Sequence, residues 1–156
     1  MINTLLEFLT NENIYLITNW GVIPFWLLLI VSPNNKLTSV LVQSVIAPII
    51  FASAYIYLGY KIYLDGNFFE GFNLYLGLNE LYALFAEETF LLMFWLHFLS
   101  ISLFVGCWIS RDSQRHFVPR ILTILSLIIT YLTGPIGLFF YWFIRIIFAK
   151  KINFNE

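Results

Sequence analysis

Four long apolar stretches run through the chain, separated by short polar breaks and by one longer segment of mixed character. The first covers about residues 14–31 and stops at Ser32-Pro33-Asn34-Asn35-Lys36; Asn19, Gly21 and Pro24 interrupt it. The second covers 37–60 and holds Pro48, the third covers 88–109, and the fourth covers 119–148 and holds Gly134-Pro135. A membrane-crossing helix needs roughly 20 mostly apolar residues. Backbone amides in hydrocarbon must be satisfied within their own segment, so each stretch predicts a helix. Strands of a transmembrane barrel would alternate strictly. The runs Phe25–Val31 and Ile121–Ile129 do not alternate. The pattern therefore predicts an all-α, polytopic membrane protein: a single integral membrane domain over 1–156 with four transmembrane helices.

Residues 61–87 differ. Asp65, Glu70, Glu80 and Glu87 alternate with Phe68, Phe69, Phe72, Tyr75 and Leu76. This is too polar to span and too apolar for a free linker. An interfacial segment between helices 2 and 3, anchored by aromatic rings at headgroup depth, fits best.

Composition sharpens the reading. Of 156 residues, 60% are hydrophobic and only 11% charged. Soluble domains carry about 25% charged residues, and a globule this small could not hide so much apolar surface. A net charge of −1 gives no basic footprint for nucleic acid. The one cysteine, Cys107, permits no internal disulfide and no cysteine-based zinc site. Residues 1–13 carry Glu7 and Glu12 and no basic region, so no removable signal peptide is expected. With four spans, Lys61, Arg145, Lys150 and Lys151 face one side and Lys36, Arg111, Arg115 and Arg120 the other. The positive-inside rule is then tied. Eight of the nine acidic residues fall on the side of the termini, which tips that side outward.

Ionisable groups within spans are costly, and each is a functional hypothesis. His97 lies near the middle of the third span, with Ser100, Phe104, Cys107 and Arg111 on roughly its face at about 100° per residue. It either exchanges a proton or bonds an oxygen of a lipid-soluble ligand, or it is a neutral histidine bonded to a neighbouring helix. Glu87 and Glu88 either work as acids at the mouth of the bundle or favour the helix dipole. Arg145 either snorkels to headgroups or pairs with an inward carboxylate. Two histidines, His97 and His116, are too few for a membrane di-iron site or a two-histidine haem, and no lysine sits mid-span for a retinal Schiff base. No phosphate loop, nucleophile elbow or Cys-x-x-Cys occurs. No metal and no cofactor are expected.

The stretch from Trp95 through His97, Leu103-Phe104-Val105-Gly106 and Trp108 to Asp112 resembles a motif of the abscisic-acid-deficient-4-like family of small four-helix membrane proteins. Gly134-Pro135-Ile136-Gly137 followed by Arg145 is similar to that family's final span, and Asn19 to Pro33, with Pro24 and Trp26, to its first. Two positions depart: Ser102 stands where the family has Asp, and Cys107 where it has Arg. The resemblance implies carotenoid or isoprenoid metabolism, in plants the conversion of violaxanthin to neoxanthin, an epoxide-opening isomerisation that needs an acid and a base but no redox cofactor. It implies His97 as the catalytic candidate, with Ser102 in place of the carboxylate. Trp95, Cys107, Trp108, Gly134, Pro135, Gly137, Arg145 and Asn19 are the ligand-binding candidates. The expected partners are the lipid bilayer and a carotenoid or other polyprenyl ligand. The expected location is a bacterial inner membrane or a plastid (thylakoid) membrane. The alternative is a non-catalytic pigment- or lipid-binding subunit, and loss of both family charges leans towards it. A small channel or transporter ranks last, for want of a polar pathway. A thin four-helix bundle leaves room for self-association or for a place in a pigment–protein complex.

Overall fold

The computed structural model describes residues 8–44 and 46–149. Glu7, Lys150, Lys151 and Glu156, used above to argue the signal peptide and the orientation, lie outside them. In chain order the helices are α1 (Asn11–Val31), α2 (Lys36–Leu41), α3 (Ile46–Leu64), a 3-10 segment (Phe68–Tyr75), α4 (Leu78–Ala86), α5 (Glu88–Arg115), α6 (Arg120–Thr133) and α7 (Pro135–Ala149). No strand occurs among the described residues. Among the described residues two helices, α1 and α5, are long and apolar enough to cross a membrane.

In α1, the buried residues Ile14, Thr18, Val22, Trp26 and Leu29 recur every three or four positions and form one stripe. Its 21 residues give about 31 Å, the thickness of a hydrocarbon core. The helix runs on through Asn19, Gly21 and Pro24 instead of stopping there. Thr18 returns its hydroxyl to the Ile14 carbonyl at 2.7 Å, so it adds no unpaired group. In α5, Leu92, Leu96, Leu99, Leu103 and Cys107 form the equivalent stripe, which Ser110 and Ser113 continue. α5 runs six residues past the expected end at 109. It closes on Phe117, which has a φ of 52°, while the Val118 amide reaches back to the Ser113 carbonyl at 2.9 Å. That is a glycine-type helix ending built on a phenylalanine.

The stretch expected as the second span is two helices. Asn35 caps α2 by accepting the Leu37 amide at 3.0 Å. The break at Val42–Ser44 follows from Pro48, which has no amide to bond four residues back and so fits only near a helix start. Gln43 then turns to the Pro33 carbonyl at 3.3 Å.

The expected fourth span is also divided, and here the path changes. α6 ends at Gly134, whose φ is +60°, and α7 begins at Pro135 and packs against α6. Tyr141 and Arg145 both bond Asp112, in the last turns of α5. Had α6 and α7 formed one straight helix, Tyr141 would lie about 31 Å from Arg120, far beyond that reach. α7 therefore folds back towards the α5–α6 turn. A Cβ on Gly137 would meet the Thr130 backbone nitrogen and hydroxyl, so glycine is what permits the close packing. Arg145 accordingly lies within unit two, beside the last turns of α5.

The chain divides into two compact units, Met1–Gly21 with Pro48–Phe98 and Val22–Ala47 with Leu99–Glu156. In the first, the 61–87 segment is helical. The 3-10 segment and α4 pack on one another and leave Phe69, Phe72, Tyr75, Leu76, Leu78 and Tyr82 exposed.

Candidate functional site

Unit one holds a groove of about 520 Å³ beneath the 3-10 segment, within the size range of small-molecule sites. Helix α3 supplies Tyr55, Gly59 and Ile62; the 3-10 segment and α4 supply Phe72, Tyr75 and Phe85; the first turns of α5 supply Phe90, Met93 and Phe94. Among the described residues His97 is the one imidazole at its wall, and no carboxylate lines it. Gly71 is small where a Cβ would stand 3.4 Å from the Phe90 ring. Phe85 and Phe94 meet as tilted rings 4.9 Å apart between centres and stiffen one side.

His97 is not tucked inward. It is exposed on α5 together with Phe94, Ile101 and Phe104, while the inward stripe passes through Leu96 and Leu99. Its access is to the groove and to whatever surrounds that face. Ser102, its catalytic counterpart by resemblance, is buried and belongs to unit two. The structure thus provides the groove with an imidazole and gives it no carboxylate.

A second cavity in unit one, about 480 Å³, lies by the starts of α1 and α5. Trp95 lines it with Tyr15, Leu91 and Leu92, and Glu12 and Glu88 stand at its polar end. The Trp95 ring stacks on Phe98 at 5.4 Å, and its buried indole nitrogen has no partner among the described residues. Asn11 donates to Thr89 at 3.0 Å and accepts from Lys61 at 2.7 Å, joining three helices of this unit.

Unit two holds a different kind of centre. The Asp112 Oδ2 accepts the Tyr141 hydroxyl at 2.7 Å and the Arg145 Nε at 2.8 Å. His116 Nδ1 lies 3.4 Å from the other carboxylate oxygen and 3.0 Å from the Asp112 carbonyl. Asp112, Tyr141 and Arg145 are 6%, 0% and 2% exposed. Arg145 thus pairs with a carboxylate instead of snorkelling. Trp108 meets the Tyr141 ring edge-on at 5.5 Å, which fixes the phenol that holds Asp112. Sequence reasoning named Arg145 and Trp108 as site candidates, met Asp112 only as the end of a motif, and gave Tyr141 no role. A signal was present: Asp112 is the only carboxylate between Glu88 and Glu156, and an arginine buried in an apolar helix needs one.

The other candidates read as packing. Cys107 is buried, and its thiol donates to the Val42 carbonyl at 3.5 Å. Gly134 and Pro135 make the α6–α7 turn, Gly137 permits its packing, and Asn19 is half-buried on α1. Gly106 serves a similar purpose: a Cβ there would stand 2.7 Å from the Trp26 ring. Among the described residues no three His, Cys, Asp or Glu side chains converge as metal ligands.

No curated protein and no solved structure matches the chain. The motifs of α1 and α5 and the Gly134–Gly137 turn instead fall within one continuous match to a family, over residues 13–141, which stops short of Arg145. On that match, which spans most of its length, the chain belongs to the ABA DEFICIENT 4-like family.

Proposed function

We propose that this chain is a multi-pass integral membrane protein that takes a lipid-soluble, oxygen-bearing ligand of the carotenoid or isoprenoid class into the groove beside His97. The observation that carries the reading is the groove's lining: aromatic and aliphatic side chains along its length, with one imidazole at the wall. A ligand that leaves lipid for this groove gains little from the hydrophobic effect, since lipid tails are as apolar as the lining. Selectivity must then come from shape and from the hydrogen bond between His97 and a hydroxyl, keto or epoxide oxygen. Such bonds within membranes are worth about 1 kcal/mol. In this reading, α1 and α5 cross the bilayer and α6–α7 forms a hairpin that enters and returns on one side. The basic end of unit two faces the cytoplasm or its equivalent.

Binding without chemistry is the reading the groove favours. Opening an epoxide with loss of a proton needs an acid and a base. His97 supplies one of them, and only the phenols of Tyr55 and Tyr75 are at hand for the other. The second reading, a cofactor-free isomerase or its partner, rests on that imidazole at the groove wall.

The test uses cells that make both a hydrocarbon carotene and its dihydroxylated counterpart. The purified chain should carry the hydroxylated pigment unaltered and in excess, and His97→Ala should shift the ratio towards the carotene by about fivefold, the equivalent of a 1 kcal/mol bond. A new pigment that disappears in His97→Ala would establish the isomerase. Purification without any pigment would count against both.

A further inference from the structure

A third cavity lies within unit two, where the α1–α2 loop meets the turn from α5 to α6, and nothing in the ligand reading uses it. Its volume is about 340 Å³. Asn34, Asn35, Ser110, Gln114, Arg120 and Thr123 bring polar groups to a wall that Val31, Pro33 and Val118 share, and among the described residues no carboxylate lines it. Asp112 lies close in sequence, but its oxygens are turned to Tyr141, Arg145 and His116.

Two independent features call for an anion here. First, α6 opens at this cavity. Its N-cap is Pro119, and no side chain caps it. The first backbone bond of the helix runs from Thr123 to the Pro119 carbonyl, so the amides of Arg120, Ile121 and Leu122 have no intrahelical partner. A 14-residue helix adds its positive dipole end. Second, Ser110 lines the cavity at 1% exposure, and its hydroxyl has no hydrogen-bond partner among the described residues. Leaving a buried hydroxyl unpaired forfeits its hydration with nothing in return. Buried neighbours on α5 and α6 avoid this by bonding their own helix: Ser113 bonds the Ser110 carbonyl, Ser126 the Leu122 carbonyl and Thr130 the Ser126 carbonyl.

Arg120 provides the charge. Its Nη2 donates to the Val31 carbonyl at 2.7 Å, which steadies the guanidinium against the end of α1. Five N–H donors allow it to hold that carbonyl and an oxyanion together. The cavity exceeds a bare phosphate in size, which leaves space for an esterified substituent.

We infer that this cavity binds a phosphate group through Arg120, the Ser110 hydroxyl and the first amides of α6. A phospholipid headgroup and free inorganic phosphate carry the same chemistry, and the two are separable by experiment. The inference does not depend on the groove beside His97.

The test is native mass spectrometry of the full chain in detergent, titrated with short-chain phosphatidylglycerol, with inorganic phosphate, and with a monoacylglycerol that lacks phosphate. Binding of phosphatidylglycerol but not the monoacylglycerol is expected. Arg120→Gln should weaken it about 10- to 100-fold, as for a lost hydrogen bond to a charged group, and Ser110→Ala about fivefold. Arg111→Gln removes the same charge from an exposed position that does not line the cavity, and should change binding less than twofold. Saturation by inorganic phosphate at millimolar concentration would make free phosphate the ligand; lack of it would make the lipid the ligand. Equal losses in Arg120→Gln and Arg111→Gln would reduce the site to general attraction and overturn the proposal. So would unchanged binding in Ser110→Ala accompanied by a higher melting temperature, the signature of a hydroxyl with nothing to meet. If Arg120→Gln lowers helicity, Ser110→Ala and Arg120→Lys, which keeps the charge, carry the comparison.

Discussion

The two units are near mirror images in charge. Among the described residues, unit one carries Lys61 against Glu12, Asp65, Glu70, Glu80, Glu87 and Glu88. Unit two carries Lys36, Arg111, Arg115, Arg120 and Arg145 against Asp112. Their interiors differ as sharply. Unit one keeps its acids away from a groove of rings and a lone imidazole. Unit two buries its single acid at the centre of a bonded cluster. Charge in unit two therefore builds the fold, while the groove in unit one is nearly free of charge and suited to an apolar ligand. A buried ion pair is costly to desolvate and earns retention by fixing one arrangement. Here it fixes the return of α7.

The largest effect expected is at that cluster. Arg145→Met leaves the Asp112 charge buried without its guanidinium and should destabilise by about 3–5 kcal/mol, read as a fall in melting temperature in detergent. Asp112→Asn alone should cost a similar amount. The double variant should recover part of the loss, because neither charge is left alone. Additive losses would show that the two side chains do not act as a pair.

Gly59 gives the next test, and it should separate stability from binding. It borders the groove, and a Cβ there meets nothing within 4 Å. Gly59→Leu should fill the groove and reduce retained ligand at least tenfold. Stability should hold or rise by about 1 kcal/mol, since glycine is the poorer helix former. Retention of ligand at the wild-type level would place the ligand elsewhere.

The ends of α5 test the orientation. In a Cys107→Ser background, Leu76→Cys and Phe117→Cys put exposed thiols before and after this helix. If α5 spans, an impermeant maleimide should label them from opposite faces, with Phe117→Cys reacting on the cytoplasmic or equivalent side. Labelling of both from one face would remove α5 as a crossing helix.

The smallest effect belongs to Phe117, a phenylalanine with a φ of 52°. Phe117→Gly should raise stability by up to about 1 kcal/mol by relieving a left-handed conformation. A loss would mean that the exposed ring anchors the chain at the interface.

The sequence made α1 and α5 legible because each is a single apolar helix whose stripe repeats every three or four residues. It hid the breaks. A window of apolar residues reads alike across Val42–Ser44, and only Pro48 hints that a new helix must begin there. Gly134-Pro135 announced a bend, but a kink and a reversal share that signal. The choice is made by Asp112, 22 residues earlier in the chain, through Tyr141 and Arg145. The same gap explains His97. Counting at about 100° per residue groups His97 with Cys107, yet Cys107 is buried and His97 is exposed. Ten residues at that step already leave the two about 80° apart, enough to straddle the edge of a buried stripe, and the neighbours that define inside and outside are not written locally. The groove itself depends on the 3-10 segment and α4 covering α5, which composition suggested only as an interfacial stretch.

The central claim, that the groove beside His97 is where a lipid-soluble ligand sits, is most directly tested by cross-linking. The full chain in membranes would be irradiated with a photoreactive polyprenyl alcohol and the adducts mapped by peptide mass spectrometry. The account predicts adducts concentrated on Phe72, Phe90, Met93, Phe94 and His97, and lost when an excess of unlabelled alcohol competes. Adducts spread evenly over exposed positions such as Trp20, Ile56 and Phe104, and indifferent to competition, would contradict it.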